Sequence, residues 1–392
     1  MTTRTIDAHQ HFWNLDRVAY PWLTPEAGPL YRTYEPPELE PQLRDAGIER
    51  TVLVQAANSY EDTDAMLDQA DRYPWIGAVV GWVPLTEPEE AARALDRYAR
   101  RPAFRGVRHL IHDEADPDWV VQERVIEGLS LLTDRGLSFD VVAVFPDHLK
   151  HVPTLAARLP TLTLIIDHLA KPPIAAREME PWASQLATAA RYPNVYAKIS
   201  GLNTTADPAT WSAADLQPYI DAAIERFGAD RLMVGSDWPV CTLAGDYQRV
   251  WTETNNALGG RTQAEREALL GGTAAACIGY EEGTMARRFG QVIGVKPKHI
   301  AEYERLHAAV WPEVLAMIHA CNIRNYSIFR HEATLFAYFE YVGEDIAADM
   351  AKMAADPKTR EWWTYTNPLQ EPLGGQQSDA WWVDMVEVFH TG

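Results

Sequence analysis

The stretch Asp7-Ala8-His9-Gln10-His11-Phe12-Trp13, close to the amino terminus, carries the most information in this sequence. The residues at 5–8 are predicted as a short β-strand, and successive side chains along a strand point to opposite faces. Asp7, His9 and His11 are therefore expected on one face. Two neighbouring imidazoles at the end of a strand can bind a divalent metal ion or contact a carbonyl oxygen. The pattern predicts a polar site at the carboxyl end of the first strand.

Short β-rich runs alternate with amphipathic segments from the amino terminus to about residue 280. The runs predicted as strands are 5–8, 51–56, 76–83, 104–110, 137–145, 162–167, 195–201 and 231–237, and the clearest helical segments are 62–72, 87–100, 119–135 and 213–227. Most of the strands are continuous apolar runs, which is typical of parallel strands buried on both faces. Eight such units predict an α/β fold, the TIM (β/α)8 barrel, with a doubly wound open sheet as the alternative.

The pattern changes after the short polar stretch Glu281-Glu282-Gly283-Thr284. It then predicts a strand at 288–295, a long helix at 298–321, strands at 324–331 and 334–342, helices at 345–355 and 358–366, and a strand at 381–389. This βαββαβ order is that of an α+β ferredoxin-like domain. We therefore predict two domains, a barrel over 1–282 and a ferredoxin-like domain over 285–392.

The composition limits the classes of function. The formal net charge of −20 over 392 residues argues against a nucleic-acid partner, because phosphates require a basic surface. The three cysteines are odd in number and widely spaced, so no disulfide framework is expected. We expect no targeting leader and no membrane span, which would need about 20 apolar residues. These features predict a cytoplasmic enzyme without membrane partners.

Polar residues end or follow six of the eight predicted strands. They are His9, His11, Arg108, His109, Asp140, Asp167, His168, Lys171, Lys198, Ser200, Ser236 and Asp237. In a TIM barrel the functional groups lie at the carboxyl ends of the strands, so these side chains are expected to form one site. A single polar strand end often has a purely structural role, but six together favour a catalytic centre.

Four motifs carry a resemblance to the amidohydrolase superfamily, specifically to its branch of sugar-lactone hydrolases. They are the opening stretch at 7–13, Gly106-Val107-Arg108, Ile166-Asp167-His168-Leu169-Ala170-Lys171-Pro172 and Gly235-Ser236-Asp237-Trp238-Pro239. The resemblance implies that His9, His11 and His168 surround the reacting carbonyl. It also implies that Asp237 is the general base that activates water. Such a base must lie within hydrogen-bond reach of the water, opposite donors for the developing oxyanion.

The product of such a reaction is a sugar acid, so the cationic side chains of Arg108, Lys171 and Lys198 are predicted to contact the substrate. For each lysine, a salt bridge at the barrel end is an equally good alternative. Many members of the superfamily place a metal-binding histidine or lysine on strand 5, whereas this chain has Phe139-Asp140-Val141. A binuclear centre is therefore not expected. One Zn²⁺ bound by His9 and His11, with His168 or Asp237, is predicted as an optional cofactor.

In the second domain, Tyr303, His307 and Trp311 are spaced i, i+4 and i+8, so they share one helix face. The segment 285–392 resembles the rhamnose mutarotase family, with Tyr303-x-x-x-His307, Trp311-Pro312-Glu313, Asn325-Tyr326 and Trp362-Trp363 as markers. The resemblance implies that His307 is the proton donor and that Tyr303, Tyr326, Trp362 and Trp363 bind the sugar. It also implies that the domain needs no cofactor and that the protein forms a homodimer.

The two resemblances together predict a bifunctional enzyme that acts on a free 6-deoxyhexose and on its lactone. Hydrolysis of L-fucono-lactone to L-fuconate and interconversion of L-fucose anomers are favoured over the corresponding L-rhamnose reactions. The chain has no GxGxxG dinucleotide motif, so the oxidation between the two steps is expected elsewhere. Two alternatives stay open: a metal-dependent decarboxylase or C–C hydrolase in the barrel, and a second domain that only dimerises or senses sugar.

Overall fold

The computed structural model describes residues 5–278, 287–343, 345–372 and 381–389. The chain divides into two compact units, Met1–Glu281 and Glu282–Gly392. The predicted linker at 281–284 lies outside the described residues. In the parts of the chain that the structure describes, every helix is too short or too polar to cross a membrane.

Eight parallel strands form the sheet of the first unit. They are β1 (Ile6–Gln10), β2 (Arg50–Val54), β3 (Ile76–Gly81), β4 (Phe104–His109), β5 (Ser138–Val141), β6 (Leu164–Ile166), β7 (Val195–Ile199) and β8 (Leu232–Val234). They are hydrogen-bonded in sequence order, each parallel to the next. A parallel bridge between Gln10 and Trp238 joins the two ends of the sheet. The predicted TIM barrel is confirmed.

Helices follow the strands around the outside of this barrel. They are α1 (Pro36–Asp45), α2 (Tyr60–Arg72), α3 (Pro88–Tyr98), α4 (Glu123–Thr133), α5 (Val152–Arg158), α6 (Trp182–Ala190), α7 (Ala213–Phe227), α8 (Tyr247–Ala257), α9 (Gln263–Glu267) and α10 (Thr273–Cys277). In α3, the buried residues Ala91, Ala94, Leu95 and Tyr98 recur at the spacing of one helical face. The apolar stripe therefore fixes this helix against the sheet.

The barrel encloses a small apolar core below the polar strand ends. Val52, Val54, Val80 and Ile165 form this core together with Ala274 of α10. Several strands end earlier than their apolar sequences suggest; β8, for example, ends at Val234. The residues beyond these ends form loops and 3₁₀ turns instead, and they carry the polar side chains of the first site.

The second unit is an antiparallel sheet with helices. Its strands are β9 (Arg287–Val295), β10 (Ile323–His331), β11 (Thr334–Tyr341), β12 (Gln370–Glu371) and β13 (Val383–Met385), and its helices are α11 (Ile300–His307), α12 (Pro312–Ala320), α13 (Ile346–Ala355) and α14 (Pro357–Thr366). The sheet order is β10-β11-β9-β12, with β13 also paired to β9. This arrangement confirms the predicted ferredoxin-like fold.

The long helix predicted at 298–321 is wrong, because the structure has two helices there. Trp311 is extended, with φ −64° and ψ 139°, and α12 begins at Pro312. A proline disfavours helical geometry in the residue before it and suits the first position of a new helix. The final predicted strand is also shorter than expected, since only Val383–Met385 pairs with β9.

Candidate active sites

A bulge in β1 separates Asp7 from the two histidines. The pairing register with β2 shifts between Asp7 and Gln10. An inserted residue breaks the alternation of faces. The Asp7 carboxylate instead accepts hydrogen bonds from the Ser236 backbone at 2.8 Å and from the Tyr247 hydroxyl of α8 at 2.9 Å. The prediction that Asp7 shares a face with the histidines is therefore wrong; it braces the loop after β8.

His9 and His11 present their Nε2 atoms to each other at 3.1 Å. Nδ1 of His11 lies 2.7 Å from the Val54 carbonyl, which can only accept, so Nδ1 carries the hydrogen. Nη1 of Arg108 lies 3.2 Å from Nε2 of His9, and a guanidinium can only donate. Both histidines therefore direct an Nε2 lone pair to the same point. Burial lowers the pKa of His9 well below its usual value, which keeps the ring neutral.

Asp237 lies beside this point, on the loop that follows β8. Its backbone N–H donates to the His9 carbonyl at 2.8 Å, and its φ of 61° turns the carboxylate inward. The Oδ1 atom lies 3.3 Å from Nε2 of His11, 3.8 Å from Nε2 of His9 and 3.9 Å from Nε2 of His168. Burial alone would raise the pKa of Asp237, yet the surrounding imidazoles, His168 foremost, hold it below its usual value. Asp237 is therefore a carboxylate at neutral pH.

His168 is presented by an unusual turn after β6. His168, Leu169, Ala170 and Lys171 have φ between 49° and 59°, a left-handed region that costs non-glycine residues energy. The indole of Trp182 donates to the Leu169 carbonyl at 2.7 Å and fastens the turn to α6. Nδ1 of His168 lies 2.9 Å from the Ser200 hydroxyl, and burial lowers the pKa of His168 to about 4. The turn brings the predicted residues His168 and Lys171 to one strand end.

Arg108 and Lys198 belong to a buried ion-pair network beneath His9. Nη1 of Arg108 lies 2.9 Å from Oδ2 of Asp167. The ammonium of Lys198 contacts the Asp140 carboxylate and lies 3.3 Å from Oδ1 of Asp167. Lys198 is fully buried, and its contact with substrate stays a prediction. The salt bridge, which was the alternative considered for this lysine, is present in the structure.

The donor atoms fit one zinc ion. Zinc binds imidazole nitrogen and carboxylate oxygen at about 2.0–2.1 Å in a tetrahedron, which places ligand atoms about 3.3 Å apart. The distances of 3.1 Å between the two Nε2 atoms and 3.3 Å from His11 to Asp237 match this spacing. His9, His168 and Asp237 also form a compact group of potential ligands. Oδ1 of Asp167 lies 3.2 Å from Nδ1 of His9, the partner that orients a metal-binding histidine.

The second unit builds its site around His307, at the end of α11. Nδ1 of His307 lies 3.0 Å from the Tyr303 carbonyl, so Nδ1 carries the hydrogen and Nε2 has the free lone pair. The ring stacks on Tyr303 with centroids 4.0 Å apart and meets Trp362 edge-on at 5.6 Å. Burial lowers the pKa of His307, so the ring stays neutral at pH values at which an exposed histidine would be protonated.

A cavity of about 760 Å³ opens onto His307. The predicted residues Tyr303, Tyr326, Trp362 and Trp363 all line it, on α11, β10 and α14. Aromatic faces with a few polar groups suit a sugar that carries an apolar methyl group. The structure thus brings together all five residues predicted for this site.

Several residues with contacts at or near these sites were not predicted. Gln370 lies at the floor of the cavity, where it donates to the Tyr303 hydroxyl at 3.4 Å and accepts from the Trp381 indole at 2.8 Å. In the barrel, Gly201 approaches the Asp237 carboxylate. Burial and the positive charges of Arg108 and Lys171 lower the pKa of His112 to about 3. Gln370 and His112 lie outside any motif, so no local signal identified them.

Comparisons with known proteins place both parts of the chain in known families. Residues 6–279 match the amidohydrolase family, and residues 288–391 match the L-rhamnose mutarotase family. An L-fucono-1,5-lactonase from Burkholderia ambifaria is 42% identical over 248 residues, which cover 63% of this chain and 84% of that protein. An L-rhamnose mutarotase from Oceanobacillus iheyensis is 32% identical over 106 residues, which cover 26% of this chain and 97% of that protein.

A solved structure is similar to the first unit. The crystal structure of an amidohydrolase from Burkholderia multivorans with bound zinc has a TM-score of 0.66 and 36% identity, covering 71% of this chain and 99% of that one. Both resemblances inferred from the motifs are confirmed. The chain belongs to the amidohydrolase family and carries a carboxyl-terminal L-rhamnose mutarotase domain, so it is an enzyme with a hydrolase part and a mutarotase part.

Proposed function

We propose that the barrel hydrolyses L-fucono-1,5-lactone to L-fuconate, with Asp237 as the general base. The observation that carries this proposal is the Asp237 carboxylate, held ionised within 4 Å of three imidazoles at the strand ends. The choice of lactone rests on the relative from Burkholderia ambifaria, which is named an L-fucono-1,5-lactonase. The corresponding L-rhamnono-lactone is the second candidate.

The chain's own residues account for the proton transfers. Asp237 accepts a proton from water as the water oxygen bonds to the lactone carbonyl carbon. The carbonyl oxygen gains negative charge, and the guanidinium of Arg108 stabilises it. The bond from this carbon to the ring oxygen then breaks, and the ring oxygen receives the proton from Asp237. The product carboxylate lies near Lys171 and Arg108, whose positive charges favour its binding.

Zinc would be held by His9 and His11, together with His168 or Asp237, and would polarise the carbonyl and acidify water when bound. Because Asp237 can act without an ion, the metal is an optional cofactor in this proposal. Removing it with a chelator tests its role: full lactonase activity in verified metal-free protein would exclude a required metal.

For the second unit we propose interconversion of L-fucose anomers at His307. Nε2 of the neutral ring accepts the proton of the anomeric hydroxyl and returns it to the ring oxygen as the C1–O5 bond breaks. Both oxygens are bonded to C1, so one nitrogen can serve both. Rotation about C1–C2 and the reverse steps give the other anomer, with no cofactor. His307 is thus first an acceptor and then the predicted donor.

A lactone panel with the full chain tests the first proposal. Acid release from L-fucono-1,5-lactone should exceed release from L-rhamnono-lactone, and Asp237→Asn should lower it about 10³-fold, since general-base catalysis contributes 10²–10⁴-fold. The same variant should keep its mutarotase activity, which controls for folding. Inactivity on every lactone, with turnover of aromatic carboxylic acids, would favour a decarboxylase instead.

NMR exchange between anomers tests the second proposal. His307→Ala should abolish exchange catalysis for L-fucose while lactonase activity stays unchanged. Unchanged exchange in this variant would favour a domain that only dimerises or senses sugar. Exchange of L-rhamnose alone would move the substrate assignment to that sugar.

A cytoplasmic location of the protein stays a prediction.

A further inference from the structure

Lys198 on β7 has a fully enclosed charge. Its side chain is fully buried, and its ammonium contacts the Asp140 carboxylate on β5. Nζ also lies 3.3 Å from Oδ1 of Asp167 and 3.2 Å from Nδ1 of His9. Strands β1 and β5 and the loop after β6 thus place three potential metal ligands around the ammonium group of β7.

These three ligands form a compact group without the lysine. The donor atoms of His9, Asp140 and Asp167 all lie within 4.8 Å of one another. A second such group, with His9, His168 and Asp237, is the proposed zinc site. His9 belongs to both, through Nε2 in the zinc site and through Nδ1 here, so the two cation positions are adjacent; two ions would bind both nitrogens of one imidazole that has lost its Nδ1 hydrogen.

Charge balance explains why one position needs a built-in cation. Two buried carboxylates cost several kcal/mol each unless cations compensate them. Lys198 and Arg108 supply two positive charges against Asp140 and Asp167.

We propose that the Lys198 ammonium permanently fills the second cation position and limits the barrel to one divalent ion. The proposal builds on the zinc site described above. It makes Lys198 a positioning residue: Lys198 holds Asp167, and Asp167 in turn lies 3.2 Å from Nδ1 of His9. Lys198 already supplies the single positive charge needed at this position, and its side chain fills the space. A divalent ion there would add an unbalanced charge and would have no room.

Two variants of the full chain distinguish the effect of the Lys198 charge from the effect of the space that its side chain fills. Lys198→Ala removes the cation and opens a space between the carboxylates. Lys198→Met removes the same charge but fills the space with a side chain of similar length. After dialysis against a chelator and then against excess Co²⁺, metal per chain is measured by mass spectrometry, with the visible Co²⁺ spectrum as a second readout.

Lys198→Ala should bind one more ion per chain than the wild type, and Lys198→Met should bind no more than the wild type. Equal stoichiometry in Lys198→Ala and wild type would overturn the proposal. The wild-type count itself tests the zinc site: zero ions in the wild type and one in Lys198→Ala would refute the zinc proposal and support the role of Lys198.

A wild-type measurement covers the case in which neither variant folds. Crystals of the wild type soaked in Zn²⁺ should show no anomalous density among His9, Asp140 and Asp167. An ion at that position in the wild type would show that Lys198 does not occupy it, and the proposal would be wrong.

Discussion

Gly201 brings the backbone against the Asp237 carboxylate. With φ of 60°, it lies where a Cβ atom would be 2.5 Å from Oδ2 of Asp237 and 3.0 Å from Nδ1 of His168. Gly201→Ala should therefore displace both side chains. A misplacement of about 1 Å can cost about 10²-fold in rate, so we expect a fall of that order in lactonase kcat/KM.

Gly136 offers a matched control for this substitution. Its φ of 63° is nearly the same, but no atom lies within 4 Å of its Cβ position. Both alanine variants should lose about 1 kcal/mol of unfolding free energy from the left-handed backbone. Only Gly201→Ala should lose activity; an equal loss in Gly136→Ala would trace the effect to backbone strain.

The pH profile of mutarotation follows from the buried ring of His307. Burial lowers the pKa of His307, and the neutral ring is the form with a free lone pair on Nε2. The rate should therefore be constant from pH 8 to about 6.5, the usual histidine pKa, and decline as the pH falls through the lowered pKa. Anomer exchange measured by NMR across pH 5–8 checks this. A decline that begins above 6.5 would contradict it, and His299→Ala should leave the profile unchanged.

Sequence motifs identified residues that the structure brings together in each unit, and the roles of these residues stay predictions. His9, His11 and Asp237 stand in motifs, and the structure brings them together. Lys198 looks from the sequence like any cation at a strand end. Its burial between Asp140 and Asp167 depends on contacts from two other strands, which no local pattern contains.

Among the elements, the left-handed turn at 168–171 is held by one hydrogen bond to α6. The indole of Trp182 donates to the Leu169 carbonyl at 2.7 Å. Trp182→Phe should cost about 1–3 kcal/mol of unfolding free energy, since a buried carbonyl loses its donor. Four residues of the turn are strained, so loss of this hydrogen bond should also let the turn relax and move His168. We expect a displacement smaller than 1 Å. Because a misplacement of about 1 Å can cost about 10²-fold in rate, lactonase kcat should fall about tenfold.

Trp211→Phe is the control for this substitution. The Trp211 indole is equally buried and donates to the Ala244 carbonyl, outside the turn. Denaturation curves should show similar stability losses for both variants, whereas steady-state assays should show reduced kcat for Trp182→Phe alone. Equal kcat values in the two variants would mean that the turn does not need this anchor.

Apolar runs predicted the strands and their order, because parallel strands buried on both faces need continuous apolar sequence. The bulge in β1 escaped prediction, since its position depends on pairing with β2. The break before α12 had a signal: Pro312 forces Trp311 out of helical geometry. The helical spacing of Tyr303, His307 and Trp311 masked it, because that spacing continues across the break.

At the scale of the whole molecule, each of the two units is proposed to catalyse one of the two reactions. Each has its own core and its own proposed proton-transferring group, Asp237 in the barrel and His307 in the second unit. Both proposed substrates share one carbon skeleton, as free sugar and as lactone. The separate cores explain why loss of either group should leave the other activity intact.

The open face of the second sheet is expected to form the homodimer. Phe329 of β10 and Phe336 of β11 are cross-strand partners, and Phe329 is 63% exposed. Exposed aromatic pairs of this kind are typical of interfaces. Light scattering after size-exclusion chromatography should give twice the chain mass of 44.1 kDa for the wild type and a single chain mass for Phe329→Glu. Leu243→Glu, at a 45% exposed site in the barrel, should stay dimeric; a dimeric Phe329→Glu would exclude this face.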